Sequence, residues 1–204
     1  MPDRWITIAR KKLLAARAAQ AGWSYRAGTS PAAEPTALSC LALLGTDDAS
    51  PASTERAPRE ELREAGQWLI SCQQTDGSVS IRPGVPVPGW PTSYALLAWR
   101  ALGGFEQARE RALQWLLLQK GLALPRTPEN PQDTMIEGWP WITSTHSWLE
   151  PTACAVLALR REGHLEHVRA ADGLRLIRDR AILTSSGVGG WNYGNKGMLG
   201  TVLR

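Results

Sequence analysis

Glu150-Pro151-Thr152-Ala153-Cys154 opens an apolar run that ends at Leu159, with Gly163 beyond it. The same scheme stands at Glu34-Pro35-Thr36-Ala37-Leu38 and at Trp90-Pro91-Thr92-Ser93-Tyr94. Pro35, Pro91 and Pro151 are spaced by 56 and 60 residues. Proline near the first helical position, with glycine after the last apolar residue (Gly45, Gly103, Gly163), predicts short helices over 37–44, 93–102 and 153–159. Apolar residues fall on nearly every side of them, so burial all round is expected.

Working outward, a more polar segment precedes each of these helices. Charged residues on one face and Leu or Trp on the other predict amphipathic helices over 4–20, 59–74, 106–120 and 165–183. Two of them share a signature, Gly66-Gln67-Trp68-Leu69-Ile70 with Gln73-Gln74, and Leu113-Gln114-Trp115-Leu116-Leu117 with Gln119. A glycine-containing loop follows each: Gly22-Trp23-Ser24-Tyr25, Asp76-Gly77-Ser78-Val79, Gly138-Trp139-Pro140-Trp141 and Gly190-Trp191-Asn192-Tyr193. The unit is therefore amphipathic helix, Gly-Trp loop, apolar helix and turn, the signature of a helical repeat array. Its copies cover about 4–45, 59–103, 106–163 and 165–194. Together they form one all-α domain spanning residues 1–204, with the fourth copy stopping before its Pro-Thr helix.

Composition sets the outer limits. A chain of 204 residues that is 43% hydrophobic and 21% charged buries a real core, which excludes a disordered tail and a fibre. A formal charge of +4 without a dense Lys/Arg cluster gives no reason to expect nucleic acid. Three scattered cysteines, Cys40, Cys72 and Cys154, fit reduced core thiols and a cytoplasmic setting. No run of apolar residues is long enough to span a membrane, and no signal peptide is expected. The first segment, with Trp5, Ile6 and Ile8 among Arg10, Lys11 and Lys12, allows at most peripheral membrane contact.

The Trp-Leu-x-x-x-Gln helix endings, the Gly-Trp loops and the Pro-Thr-Ala helices resemble the repeat of squalene cyclases and protein prenyltransferases. The resemblance covers roughly residues 4 to 194 and implies an α/α toroid, here incomplete at about three and a half helix hairpins. The Gln-Trp pairs resemble the family's QW motif, which ties neighbouring repeats. The family's catalytic signatures are absent. Where its cyclases carry Asp-x-Asp-Asp-Thr-Ala, this chain has Glu34-Pro35-Thr36-Ala37 and Glu150-Pro151-Thr152-Ala153, each with one carboxylate. Pro35, Pro91 and Pro151 stand where the prenyltransferases place a zinc-binding His, and no Asp-Asp-x-x-Asp string is present. Neither a metal nor a cofactor is expected.

The expected chemistry lies in the loops that join amphipathic to apolar helices, about 21–34, 75–90, 121–150 and 184–194. They hold Trp23, Tyr25, Trp90, Trp139, Trp141, Trp148, Trp191 and Tyr193, eight of the fourteen aromatics. Aromatic walls suit an apolar or cationic ligand, although each Gly-Trp also reads as a structural wedge. His146 joins the ligand-binding candidates. Glu34 and Glu150 are general-acid candidates, and both also read as acidic residues that complement a helix N-terminus. The expected function is an apolar-ligand or protein-binding repeat domain. The alternatives are a cyclase- or prenyltransferase-like enzyme completed elsewhere, and a plain interaction scaffold. An incomplete ring further predicts a homodimer that closes it.

Overall fold

The computed structural model describes residues 3–49, 59–86 and 89–192. Among them are seven helices and one two-stranded sheet: α1 (Asp3–Ala15), α2 (Ala33–Ala49), α3 (Arg59–Ser71), α4 (Pro91–Leu102), α5 (Glu106–Leu118), α6 (Leu149–Arg161), α7 (Val168–Asp179), β1 (Ala181–Thr184) and β2 (Gly187–Trp191). The protein is thus mostly helical, as the repeat pattern requires. The chain divides into two compact units, Met1–Gln114 and Trp115–Arg204.

In the first unit the apolar helix α2 packs most extensively on α4, while the amphipathic α3 packs on both and α1 on α2. Leu62, Ala65 and Leu69 of α3, one apolar stripe at helical spacing, are buried in this core with Leu43, Leu96 and Trp99. The Trp99 indole donates to Gly66 O at 2.9 Å, which removes the one polar atom of its side chain from competition. In the second unit α6 packs on α7, with Val156, Leu159 and Leu176 inside.

Four expectations are corrected. Only α4 carries its proline at the first helical position; α2 and α6 begin two residues before theirs, so Glu34 and Glu150 sit in the first turn. Gly45 does not end α2, which continues to Ala49. Burial all round holds best for α4, whereas Leu38 of α2 and Leu157 of α6 are exposed. The helix expected over 165–183 stops at Asp179, and an antiparallel hairpin follows, pairing Leu183 with Val188. Its physical cause is local: the β-branched Ile182 and Thr184 favour extended backbone, and Gly187 turns the chain at φ 118°.

Candidate functional site

A threonine clasp recurs in all three full repeats. Thr36 Oγ1 accepts the Trp23 N–H at 2.9 Å, Thr92 Oγ1 the Val79 N–H at 2.8 Å, and Thr152 Oγ1 the Trp139 N–H at 2.9 Å. Each pair is separated by 13 residues, and all three threonines are fully buried. Pro-Thr therefore does more than start a helix: its hydroxyl satisfies a buried loop N–H that has no ladder partner. The loop comes so close that a Cβ on Gly138 would lie 2.4 Å from Thr152 Oγ1, and one on Gly22 2.8 Å from Thr36 Oγ1.

The loop tryptophans complete the clasp. Trp23 Nε1 donates to Leu13 O at 2.7 Å, Trp139 Nε1 to Leu116 O at 2.8 Å, and Trp191 Nε1 to Ile177 O at 2.8 Å. Each acceptor is the third residue from the end of the preceding amphipathic helix. A helix leaves its last four carbonyls without intrahelical partners, and the indole supplies one. Trp23 and Trp139 are 2% exposed, so these two ligand candidates belong to the core, as wedges that tie loop to helix. In the second repeat Val79 replaces the tryptophan, and Ser80 N and Oγ bond Cys72 O instead.

Trp139 is covered on one face by Arg169, whose guanidinium carbon lies 4.3 Å from the ring centroid. Arg169 is 4% exposed and donates to Gln119 O at 2.7 Å, Glu137 O at 2.8 Å and Gly138 O at 3.1 Å, with an ion pair to Asp172 at 3.1 Å. One side chain on α7 thereby closes the end of α5 and the Gly-Trp loop together.

In the first unit Tyr25, Trp90 and Glu34 come together. Glu34 Oε2 accepts the Tyr25 hydroxyl at 2.6 Å and the Trp90 indole N–H at 2.7 Å. Partial burial and the adjacent carboxylate push the Tyr25 phenol above its ordinary range, with Arg82 opposing. As folded, Glu34 is an acceptor between two aromatic donors, a contact that joins the residues preceding Pro35 and Pro91.

The second unit holds His146 and Trp148 in the wall of an open cleft of about 260 Å3. Leu122, Leu124 and Ile136 supply apolar surface, and Arg180 contributes at one end. Their loop is well tied: Leu122 N–H donates to Thr145 O, Leu124 N–H to Thr134 O, and Asp133 N–H to Asp179 Oδ2 at 3.0 Å. Arg180 Nη1 donates to Asp133 O at 3.2 Å and pairs with Asp179, while its Nε is buried without a partner. A hollow of about 410 Å3 in the first unit is larger but is lined by small and polar residues of 15–20 and 24–30. Volume alone would choose that one; apolar walls favour the cleft at Trp148.

The remaining candidates are scattered. Glu150 is exposed in the first turn of α6. Because α6 begins at Leu149, His146 and Glu150 do not share a helical face. Trp141 is half-buried, Trp191 is exposed on β2, and Tyr193 lies outside the described residues. The cysteines are free, and burial pushes the Cys40 and Cys72 thiols up to about 12, which leaves them poor nucleophiles. Arg169 and Arg180 carry no motif that would have identified them. Leu122 and Leu124 did carry a signal, alternation inside a long loop.

Set beside known proteins, the sequence matches no family model, and no curated protein is significantly similar to it.

Proposed function

We propose that this chain is a repeat domain of the squalene cyclase and prenyltransferase type, built on α/α-toroid hairpins, that binds an apolar small molecule without family-type catalysis. The observation that carries this reading is the apolar cleft beside Trp148, formed by the longest of the joining loops. The clasp geometry supports the toroid hairpin as its frame. The Gly22-Trp23 and Gly138-Trp139 loops are each fastened to the helix before and to the Pro-Thr helix after, although they differ greatly in length. Among the described residues no helix is long and apolar enough to cross a membrane, and free buried thiols suit a cytoplasmic protein that meets its ligand in solution. Two copies of the chain are proposed to associate, and light scattering reads it directly.

The test shortens the loop. Removing residues 123–135 brings Gly138 as close to the end of α5 as Gly22 is to the end of α1. Uptake of geraniol, followed by equilibrium dialysis, is expected in the full chain and lost in the shortened one, with helical circular dichroism retained. Equal uptake by both chains, or none by the full chain, would overturn the reading. Incubation with squalene and prenyl diphosphates is expected to give no turnover.

A further inference from the structure

We infer that the cleft selects a compact apolar molecule bearing one uncharged carbonyl oxygen, such as a medium-chain ketone or aldehyde, over the corresponding carboxylate or phosphate ester. This rests on the reading that the cleft is a ligand site, and concerns which ligand it takes. At about 260 Å3 the space lies below the range of drug-sized pockets, which sets the ligand at on the order of a dozen heavy atoms.

The polar part of the wall is formed by Asn130, Gln132, Thr134, His146, Ser147 and Arg180. Arg180 uses Nη1 for both its bonds, and its Nε is buried out of reach of a molecule in the cleft. The Ser147 hydroxyl accepts the Gly138 N–H at 2.8 Å, which leaves its proton to donate. Thr134 offers no such proton, since its hydroxyl already donates to Leu124 O at 2.8 Å. The Ser147 proton is the donor that an acceptor on the ligand would take.

Charge decides which acceptor. Arg180 pairs with Asp179, and Arg126 lies 3.8 Å from Asp133, whose backbone meets both Asp179 and Arg180. Two cations and two carboxylates balance, so this end of the cleft has no net positive charge to offer an anion. An anionic ligand would be desolvated against apolar walls without compensation. A carbonyl oxygen accepts the same hydrogen bonds at no such cost.

The experiment compares 2-decanone, decanoate, decyl phosphate and decane by calorimetric titration into the full chain and into Leu124→Trp, which fills the cleft from a half-exposed position. Circular dichroism checks that the variant folds. The ketone is expected to bind at least tenfold tighter than the other three, and to lose that binding in Leu124→Trp. Decanoate or decyl phosphate binding as tightly as the ketone would overturn the inference. So would decane binding as well as the ketone, although that result keeps the apolar-ligand reading. If no probe binds, or if Leu124→Trp binds all of them unchanged, both fall.

Discussion

Residues 15–36 and 118–152 carry the same clasp with different spacers. Gly22 follows the last residue of α1 by seven positions, Ser78 follows the end of α3 by seven, and Gly138 follows the end of α5 by twenty. From that point on the two regions agree: 13 residues from loop N–H to threonine, and an indole on the third-last carbonyl of the preceding helix. The extra residues are therefore confined to one place, and they include Leu122, Leu124 and Ile136, the apolar wall of the cleft. In the first unit the short loop borders a hollow of small and polar residues rather than an apolar wall, and Tyr25 and Trp90 close on Glu34. The difference teaches that the frame is held by the Thr-loop bond and the indole, so a longer loop can be inserted just ahead of the glycine without disturbing either.

The largest test of that account is Arg169→Met. The side chain holds three backbone carbonyls around the long spacer and covers Trp139. Its loss leaves those carbonyls short of donors, and a cost of about 3 kcal/mol is expected. Because the chain has two units, a global transition would blur the effect. Hydrogen exchange is the appropriate measurement, with protection falling across residues 116–160 and unchanged in α2 and α4. Equal loss in both units would refute the local role.

Gly138→Ala and Gly22→Ala sharpen the comparison next. The added Cβ would lie 2.4 Å from Thr152 Oγ1 and 2.8 Å from Leu176 Cδ1 in the second unit, against 2.8 Å from both Thr36 Oγ1 and Pro31 Cβ in the first. Overpacking of this kind costs about 2 kcal/mol, with the greater share expected at Gly138. The same exchange experiment ranks them, and a larger effect at Gly22 would contradict the geometry. Smaller still is the threonine series. Thr36→Val, Thr92→Val and Thr152→Val keep shape and remove the acceptor, at about 1–2 kcal/mol each from a stranded N–H. Similar values at all three sites would show that the clasp is worth the same whether its loop carries Trp or Val79.

Much of the frame was legible in the sequence because it rests on short-range features. Pro-Thr, Gly-Trp and the amphipathic period give the helices and their order, since each states a local backbone preference. What the pattern could not give is which tryptophans face inward. Trp23, Trp139 and Trp191 stand in the same string, yet the first two are buried and the third exposed, a difference set by what packs against them rather than by neighbours in the chain. The cleft was legible only as the length of the loop 121–150. Arg169 and Arg180 were invisible because an arginine on an amphipathic helix, or just after one, reads as solvated until the carbonyls around it are placed. The end of α7 is not legible for the related reason that Ile182 and Leu183 continue a helical period while the β-branched Ile182 and Thr184 favour a strand.

The finest test concerns the contact of Tyr25 with Glu34 in the first unit. Tyr25 is 58% exposed, so its bond to Glu34 is worth little in free energy, but it leaves a mark on titration. Partial burial and the Glu34 carboxylate raise the folded phenol above the unfolded value of about 10. The unfolded chain then releases this proton first, so the contribution is fully present below about pH 10 and falls as pH rises beyond it. Wild type should lose stability above pH 10 more steeply than Tyr25→Phe, whose profile lacks this titration. Glu34→Gln should bring the phenol back toward its ordinary range, seen as earlier ionisation in the ultraviolet titration. If Glu34→Gln leaves the ionisation of Tyr25 unmoved, the carboxylate is not what joins Tyr25 to Trp90. The first unit's loop would then be closed by packing, whereas the second unit's is closed by the hydrogen bonds of Trp139 and Arg169.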